Sequence, residues 1–349
     1  MTHAGLARAL ALGACALCLL VVVLGAYVRL SNAGLGCPDW PGCYGHLTPS
    51  ASSAHTASVA AAGPDLGKAW REMVHRYAAG SLACLIFGLG ALGLLWRRER
   101  VLPLPLVLTL PLIVVVQAVL GMLTVTRQLT PLIVTLHLLF GLTTLGLLWW
   151  LVLTLFATPL GVTARTPAPA LARSLALIAL IALAVQIALG GWTSSNYAAI
   201  ACPDLPTCQG SWWPRADFHS AYILWRDLNV NYEGGILDNP ARVAIHLVHR
   251  LGALGVSALL LAAALASLRG PERSRGAAVA VLLLLAVQLT IGITMVLRGF
   301  PLWLATAHNA GAALLLLAAL GLNRSLWPVR GPHRLSIRVP HSATVSSSA

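Results

Sequence analysis

Long apolar runs alternate with short polar breaks along the whole chain. A helix that crosses a bilayer needs about 20 mostly apolar residues. Runs of that kind occupy roughly residues 8–30, 71–96, 102–126, 130–156, 170–192, 241–268, 276–298 and 302–323. The first is too long for a signal peptide, and no small-residue cleavage site follows it before Arg29, so it reads as a span. The pattern predicts an all-α integral membrane protein with eight transmembrane helices. Composition agrees: of 349 residues 58% are hydrophobic and only 9% charged, with mean hydropathy +0.81. A water-soluble domain of this size would need far more polar surface.

The second half of the chain repeats the first. "LGAYVRLSNAGLGCPD" matches "LGGWTSSNYAAIACPD" at a shift of 165 residues, aligning Gly25 with Gly190 and Cys37 with Cys202. "VHRYAAG" matches "VHRLGAL" at a shift of 174, aligning His75 with His249 and Arg76 with Arg250. "QAVLGMLTVTR" matches "QLTIGITMVLR" at a shift of 171, which sets Gln117, Gly121, Arg127 and His137 against Gln288, Gly292, Arg298 and His308. An even number of spans per repeat preserves orientation. The expected architecture is therefore two tandem parallel four-helix bundles related by pseudo-two-fold symmetry. Residues 1–157 form the amino-terminal half, 158–170 a cytoplasmic linker, 171–325 the carboxy-terminal half and 326–349 a basic tail.

A net charge of +13 suggests nucleic acid until the charges are placed. Arg97, Arg98, Arg100, Arg165, Arg173, Arg269, Arg273, Arg275 and the arginines of the tail all fall on one side of the membrane if the spans alternate. The positive-inside rule makes that side cytoplasmic, with both termini. Asp39, Asp65, Asp204, Asp217, Glu233 and Asp238 fall on the other side. The basic balance thus records topology in a lipid bilayer, and no nucleic-acid partner is implied.

Four histidines lie within spans, one in each even-numbered span: His75, His137, His249 and His308. Ionisable residues inside a membrane are rare and face the bundle interior or a polar cavity. One pair per half, near the outer surface, suits imidazoles that grip a flat cofactor. Haem is the natural candidate, because imidazole is a common axial ligand of its iron. The competing reading is that they only hydrogen-bond between helices. His246, one turn before His249, reads as a neighbour that supports the ligand or as an alternative ligand. Glu72 holds the corresponding position before His75, either as a helix-start acid or as a carboxylate aimed into the pocket of the first half alone. Arg76, Arg127, Arg250 and Arg298 stand near the outer surface, where they can pair with haem propionates or with lipid phosphates.

"GLGCPDWPGC" and "IACPDLPTC" place Cys37, Cys43, Cys202 and Cys208 in the outer loops, where disulfides persist. Their spacing is too wide for a Cys-x2-Cys zinc site. A disulfide closing each loop is expected, though four cysteines allow three connectivities. Such a bond either staples the loop over the pocket or exchanges thiols with a partner. Cys15, Cys18 and Cys84 read as packing residues inside spans.

At these residues the chain resembles the heme A synthase family. "GLGCPDWPGC", "EMVHR", "HLVHR", "NYEGGILDNPARVAIH" and the downstream histidines 137 and 308 carry the likeness over roughly residues 10–325. The resemblance implies oxidation of the C8 methyl of haem O to a formyl group, giving haem A for terminal oxidases, with water as the oxygen source. It implies that His75 and His137 hold the substrate with Glu72 beside the reacting methyl, and that His249 and His308 ligate haem b. It links Cys37 and Cys43 to activity. Haem O synthase, assembly factors of terminal oxidases and an electron acceptor are the implied partners, in a bacterial inner membrane with the cysteine loops periplasmic. A b-type cytochrome that oxidises quinol, or a haem carrier working by alternating access, would share the four histidines but give Glu72 no special task.

Overall fold

The computed structural model describes residues 2–49, 65–157, 168–226, 230–270 and 272–327. Eight helices are long and apolar enough to cross a membrane. They are α1 (His3–Leu30), α2 (Leu66–Leu95), α3 (Leu104–Thr126), α4 (Pro131–Leu155), α5 (Ala170–Ser195), α6 (Asn239–Leu268), α7 (Glu272–Leu297) and α8 (Leu302–Leu326). A short 3-10 turn, Ala199–Ala201, and a one-turn helix, Phe218–Ala221, lie between α5 and α6. Among the described residues no strand forms; two isolated bridges, Cys43 with His46 and Cys208 with Ser211, close the cysteine loops. Most of the expected linker (158–167) and of the expected tail (328–349) lies outside the described residues.

Several helices start earlier than the apolar runs. In α2 the run begins near residue 71, but the helix starts at Leu66 because the Asp65 carboxylate accepts the Lys68 N–H and caps its first turn. Polar residues "GKAWRE" thereby extend the helix beyond the apolar part. Pro131, Pro240 and Pro105 sit in the first turns of α4, α6 and α3, where a missing N–H costs nothing.

Within each half the helices pack in sequence around a square: α1 on α2, α2 on α3, α3 on α4 and α4 back on α1, then α5 on α6, α6 on α7, α7 on α8 and α8 back on α5. The halves meet where α1 touches α8 and α4 touches α5 and α8. In lipid there is no hydrophobic drive between helices, so close packing of small side chains has to supply contact. Ala7, Ala11, Ala14 and Cys18 form such a stripe on α1, and Ala172, Ala176 and Ala179 another on α5, all buried. Large apolar side chains point outward instead, including Leu112, Val115 and Val119 of α3 and Leu283 and Val287 of α7. Cys15 and Cys18 are buried as expected, whereas Cys84 on α2 is exposed.

Polar bonds fasten the seam between halves at both ends. Toward the cysteine loops, Arg29 donates to the carbonyls of Ser194 (3.0 Å) and Ser195 (3.3 Å) and lies over the Tyr197 ring, whose hydroxyl bonds Asn32 at 3.1 Å. Tyr232 N–H donates to the Gln128 carbonyl nearby at 3.0 Å. At the opposite end the Trp149 indole donates to the Leu317 carbonyl at 2.9 Å, and Arg324 lies over the Trp150 ring.

Candidate functional site

Each membrane histidine meets a glycine on the preceding helix. A Cβ built on Gly25 of α1 would lie 3.0 Å from the ring of His75 on α2, and one on Gly121 of α3 would lie 3.2 Å from His137 on α4. Gly190 of α5 and Gly292 of α7 stand in the same relation to His249 and His308, at 3.1 and 3.0 Å. These are the glycines that the sequence repeat aligns. Any side chain there would press on the ring, so glycine is what lets each imidazole come this close to the neighbouring helix.

His137 and His308 each lie six residues after the first residue of their helices, Pro131 and Leu302. His75 and His249 lie nine and ten residues after Leu66 and Asn239, deeper along longer helices. His75 and His137 come within electrostatic reach of each other, and so do His249 and His308. The four are thus gathered as one pair per half. The Nδ1 atoms of His75, His137 and His308 are buried with no partner. Buried imidazole nitrogens without a bond are costly unless something else binds there. This donor set, paired neutral-capable imidazoles in an apolar bundle, fits haem iron. Among the described residues no three His, Cys, Asp or Glu side chains gather as a metal site, so nothing resembles a structural zinc centre.

One turn before the histidine, on the side of the loops, the halves differ. Glu72 is buried; its Oε2 accepts the Cys37 N–H at 2.9 Å and its Oε1 pairs with Arg76 at 2.5 Å. His246 is also buried, accepts from Arg250 Nε at 3.3 Å, and meets the edge of the Phe300 ring. The i,i+4 geometry is the same, but a carboxylate stands in one half and an imidazole in the other.

Both disulfides form within their loops, Cys37–Cys43 and Cys202–Cys208, which selects one of the three connectivities. An aspartate organises each loop. Asp39 accepts the N–H groups of Tyr44 and Gly45. Asp204 accepts the Thr207 hydroxyl and the N–H groups of Gln209 and Gly210, and these bonds, the Thr207 hydroxyl first, pull its carboxyl down to about 2. Arg76 donates to the carbonyls of Asp39, Pro41 and Gly42, and Arg250 to those of Cys202, Asp204 and Thr207. Each arginine therefore joins the helix of a histidine to a disulfide loop. Arg127 and Arg298 follow α3 and α7 and are exposed.

Three glutamines complete the site, and the sequence pattern pointed to only two of them as a matched pair. Gln117, Gln186 and Gln288 stand four residues before Gly121, Gly190 and Gly292, on the same helix face. Their amide nitrogens donate to the main-chain carbonyls of His137 (2.9 Å), His249 (2.9 Å) and His308 (3.1 Å). They also approach the rings of the same histidines at 3.5, 3.0 and 3.3 Å. Gln186 escaped notice because its repeat counterpart is Val21.

Eight membrane-spanning helices, with a glycine-backed pair of part-buried histidines in each half and a disulfide loop bonded to the helix of one of them, define a multi-pass membrane protein with two matching histidine sites. Residues 8–320 match the COX15-CtaA family, described as "cytochrome oxidase assembly protein", and the chain belongs to that family. It is 41% identical over 315 residues to heme A synthase of Shewanella oneidensis, covering 88% of this chain and 93% of that protein. Heme A synthase of Methylobacterium sp. is 30% identical, with 86% of each chain covered. Heme A synthase 2 of Acidiphilium cryptum is 29% identical, with 85% of each covered.

Proposed function

We propose that this chain is a heme A synthase that oxidises the C8 methyl of haem O to a formyl group, with water as the oxygen source. The observation that carries the reading is the contrast between Glu72 and His246 in an otherwise repeated frame. One half has a buried carboxylate a turn away from its histidine pair; the other does not. The amino-terminal half (1–157) is then the substrate site, with His75 and His137 holding the porphyrin. The carboxy-terminal half (171–325) is the site of a resident haem b, held by His249 and His308. When bound, that haem supplies one-electron redox chemistry.

The residues of the chain orient the substrate and manage protons. The first stage takes methyl and water to alcohol, releasing two electrons and two protons. A second water and the loss of two more electrons and protons give the hydrated aldehyde, which sheds water to give the formyl group. Electrons pass to an acceptor outside this chain. Glu72 takes the proton from attacking water or stabilises positive charge at the carbon, held in place by Arg76 and the Cys37 N–H. Low-dielectric surroundings strengthen either effect. The Cys37–Cys43 and Cys202–Cys208 disulfides staple the loops through which those contacts run. Arg127 and Arg298 are the arginines left free for propionates. The protein resides in a bacterial inner membrane with both termini cytoplasmic and the cysteine loops periplasmic. It receives haem O from its synthase and passes haem A toward oxidase assembly.

Purified protein supplied with haem O and an oxidised acceptor in H2(18)O should yield a formyl porphyrin carrying the heavy isotope, read by mass spectrometry. Bound porphyrin that is never oxidised would reject the reading in favour of an electron-transfer cytochrome. A second test addresses the cradle. Gly190→Val puts a branched side chain against the His249 ring and should lower haem b affinity by about tenfold or more, measured by haem titration.

A further inference from the structure

Of the four histidines, one lacks the amide that braces the others. Gln-x3-Gly recurs on α3, α5 and α7 as Gln117–Gly121, Gln186–Gly190 and Gln288–Gly292, whereas α1 carries Val21–Gly25. Each amide bonds the carbonyl of the histidine it faces and lies against the ring. The amide oxygens of all three are buried without a partner, so each also has an acceptor in reserve for a ring N–H. Beside His75 the matching position is Val21, which offers a main-chain carbonyl but no amide, and the His75 Nδ1 has no partner.

A second difference is coupled to the first. In the second half each brace lies against a glycine three residues after the histidine: a Cβ on Gly252 would sit 2.3 Å from Gln186 Oε1 and one on Gly311 would sit 2.2 Å from Gln288 Oε1. The repeat aligns Gly252 with Ala78. The first half thus lacks the amide next to His75 and carries a side chain, Ala78, where Gly252 leaves room for Gln186. Partners beyond the ligand itself fix the orientation of a metal-binding imidazole, and removing them commonly costs about 10–100-fold in affinity.

We propose that Gln186 is a positioning residue that locks His249 on the resident haem, and that the Val21/Ala78 pair leaves His75 as the ligand that releases when substrate and product exchange. This rests on the assignment of substrate to the amino-terminal half. A site that must empty after every turnover needs one compliant ligand, while a site that keeps its cofactor needs two firm ones.

The test uses the full-length holoprotein in detergent with excess apomyoglobin as haem acceptor. The haems transferred are identified by chromatography and the low-spin absorption of each site is followed. In the unaltered protein haem O should leave faster than haem b. Grafting the brace with Val21→Gln and Ala78→Gly should slow haem O departure by about tenfold or more, leaving haem b unaffected. Removing it with Gln186→Val and Gly252→Ala should speed haem b departure to a similar degree. If a double variant does not accumulate, Gln186→Asn, too short to reach the ring, should also speed haem b loss. Unchanged departure rates in variants that keep their low-spin spectra would overturn the proposal. The assignment of the halves is checked separately by haem content. His75→Ala should deplete haem O alone and His249→Ala haem b alone, and any other pattern would overturn the assignment and the brace argument with it.

Discussion

Glu72→Gln should reduce conversion of haem O by about 100-fold or more while leaving the bound haem in place. Glutamine has nearly the same shape and can still accept the Cys37 N–H, so the loop that lies on Glu72 keeps its contact. What disappears is the charge and the ability to take a proton. Turnover and haem content, measured on the same preparation, separate this role from a structural one. A membrane cytochrome would tolerate the change, because in the second half Arg250 bonds His246 with no carboxylate.

Arg76→Ala is expected to be costly for stability, and more so than Arg250→Ala. The Arg76 and Glu72 side chains are only 12% and 6% exposed, and Arg76 also satisfies three loop carbonyls. Removing one partner of a buried ion pair leaves the other charge uncompensated, at about 3 kcal/mol. Arg250 supports its loop in the same way, but its helix partner is an imidazole and not a carboxylate, so its loss strands no buried acid. Arg127→Ala, at an exposed position, should change stability by no more than about 0.5 kcal/mol. Thermal unfolding in detergent would rank the three. Equal losses would contradict the view that Arg76 is tied to Glu72.

Much of this architecture could be read directly from residue order. Length and apolarity define all eight spans, because a helix in lipid has few alternatives. The repeat picks out Gly25, Gly121, Gly190 and Gly292 along with the histidines, and the structure sets each glycine against its histidine. Features carried by the main chain were invisible. Nothing in the identity of Arg76 announces that it will bind loop carbonyls when a propionate was an equal candidate. Nor does spacing tell that Cys37 will donate its N–H to a glutamate 35 residues later. Gln186 was hidden for another reason. Matching repeats rewards positions that stayed alike, and Gln186 matters because its counterpart changed. Helix starts were misplaced where a polar first turn, such as the one capped by Asp65, continues beyond the apolar run.

The bonds at both rims of the seam make the two halves resist separation. A bundle pinned by Arg29 and Tyr197 at one edge, and by Trp149 and Arg324 at the other, does not swing open along its midline like the covers of a book.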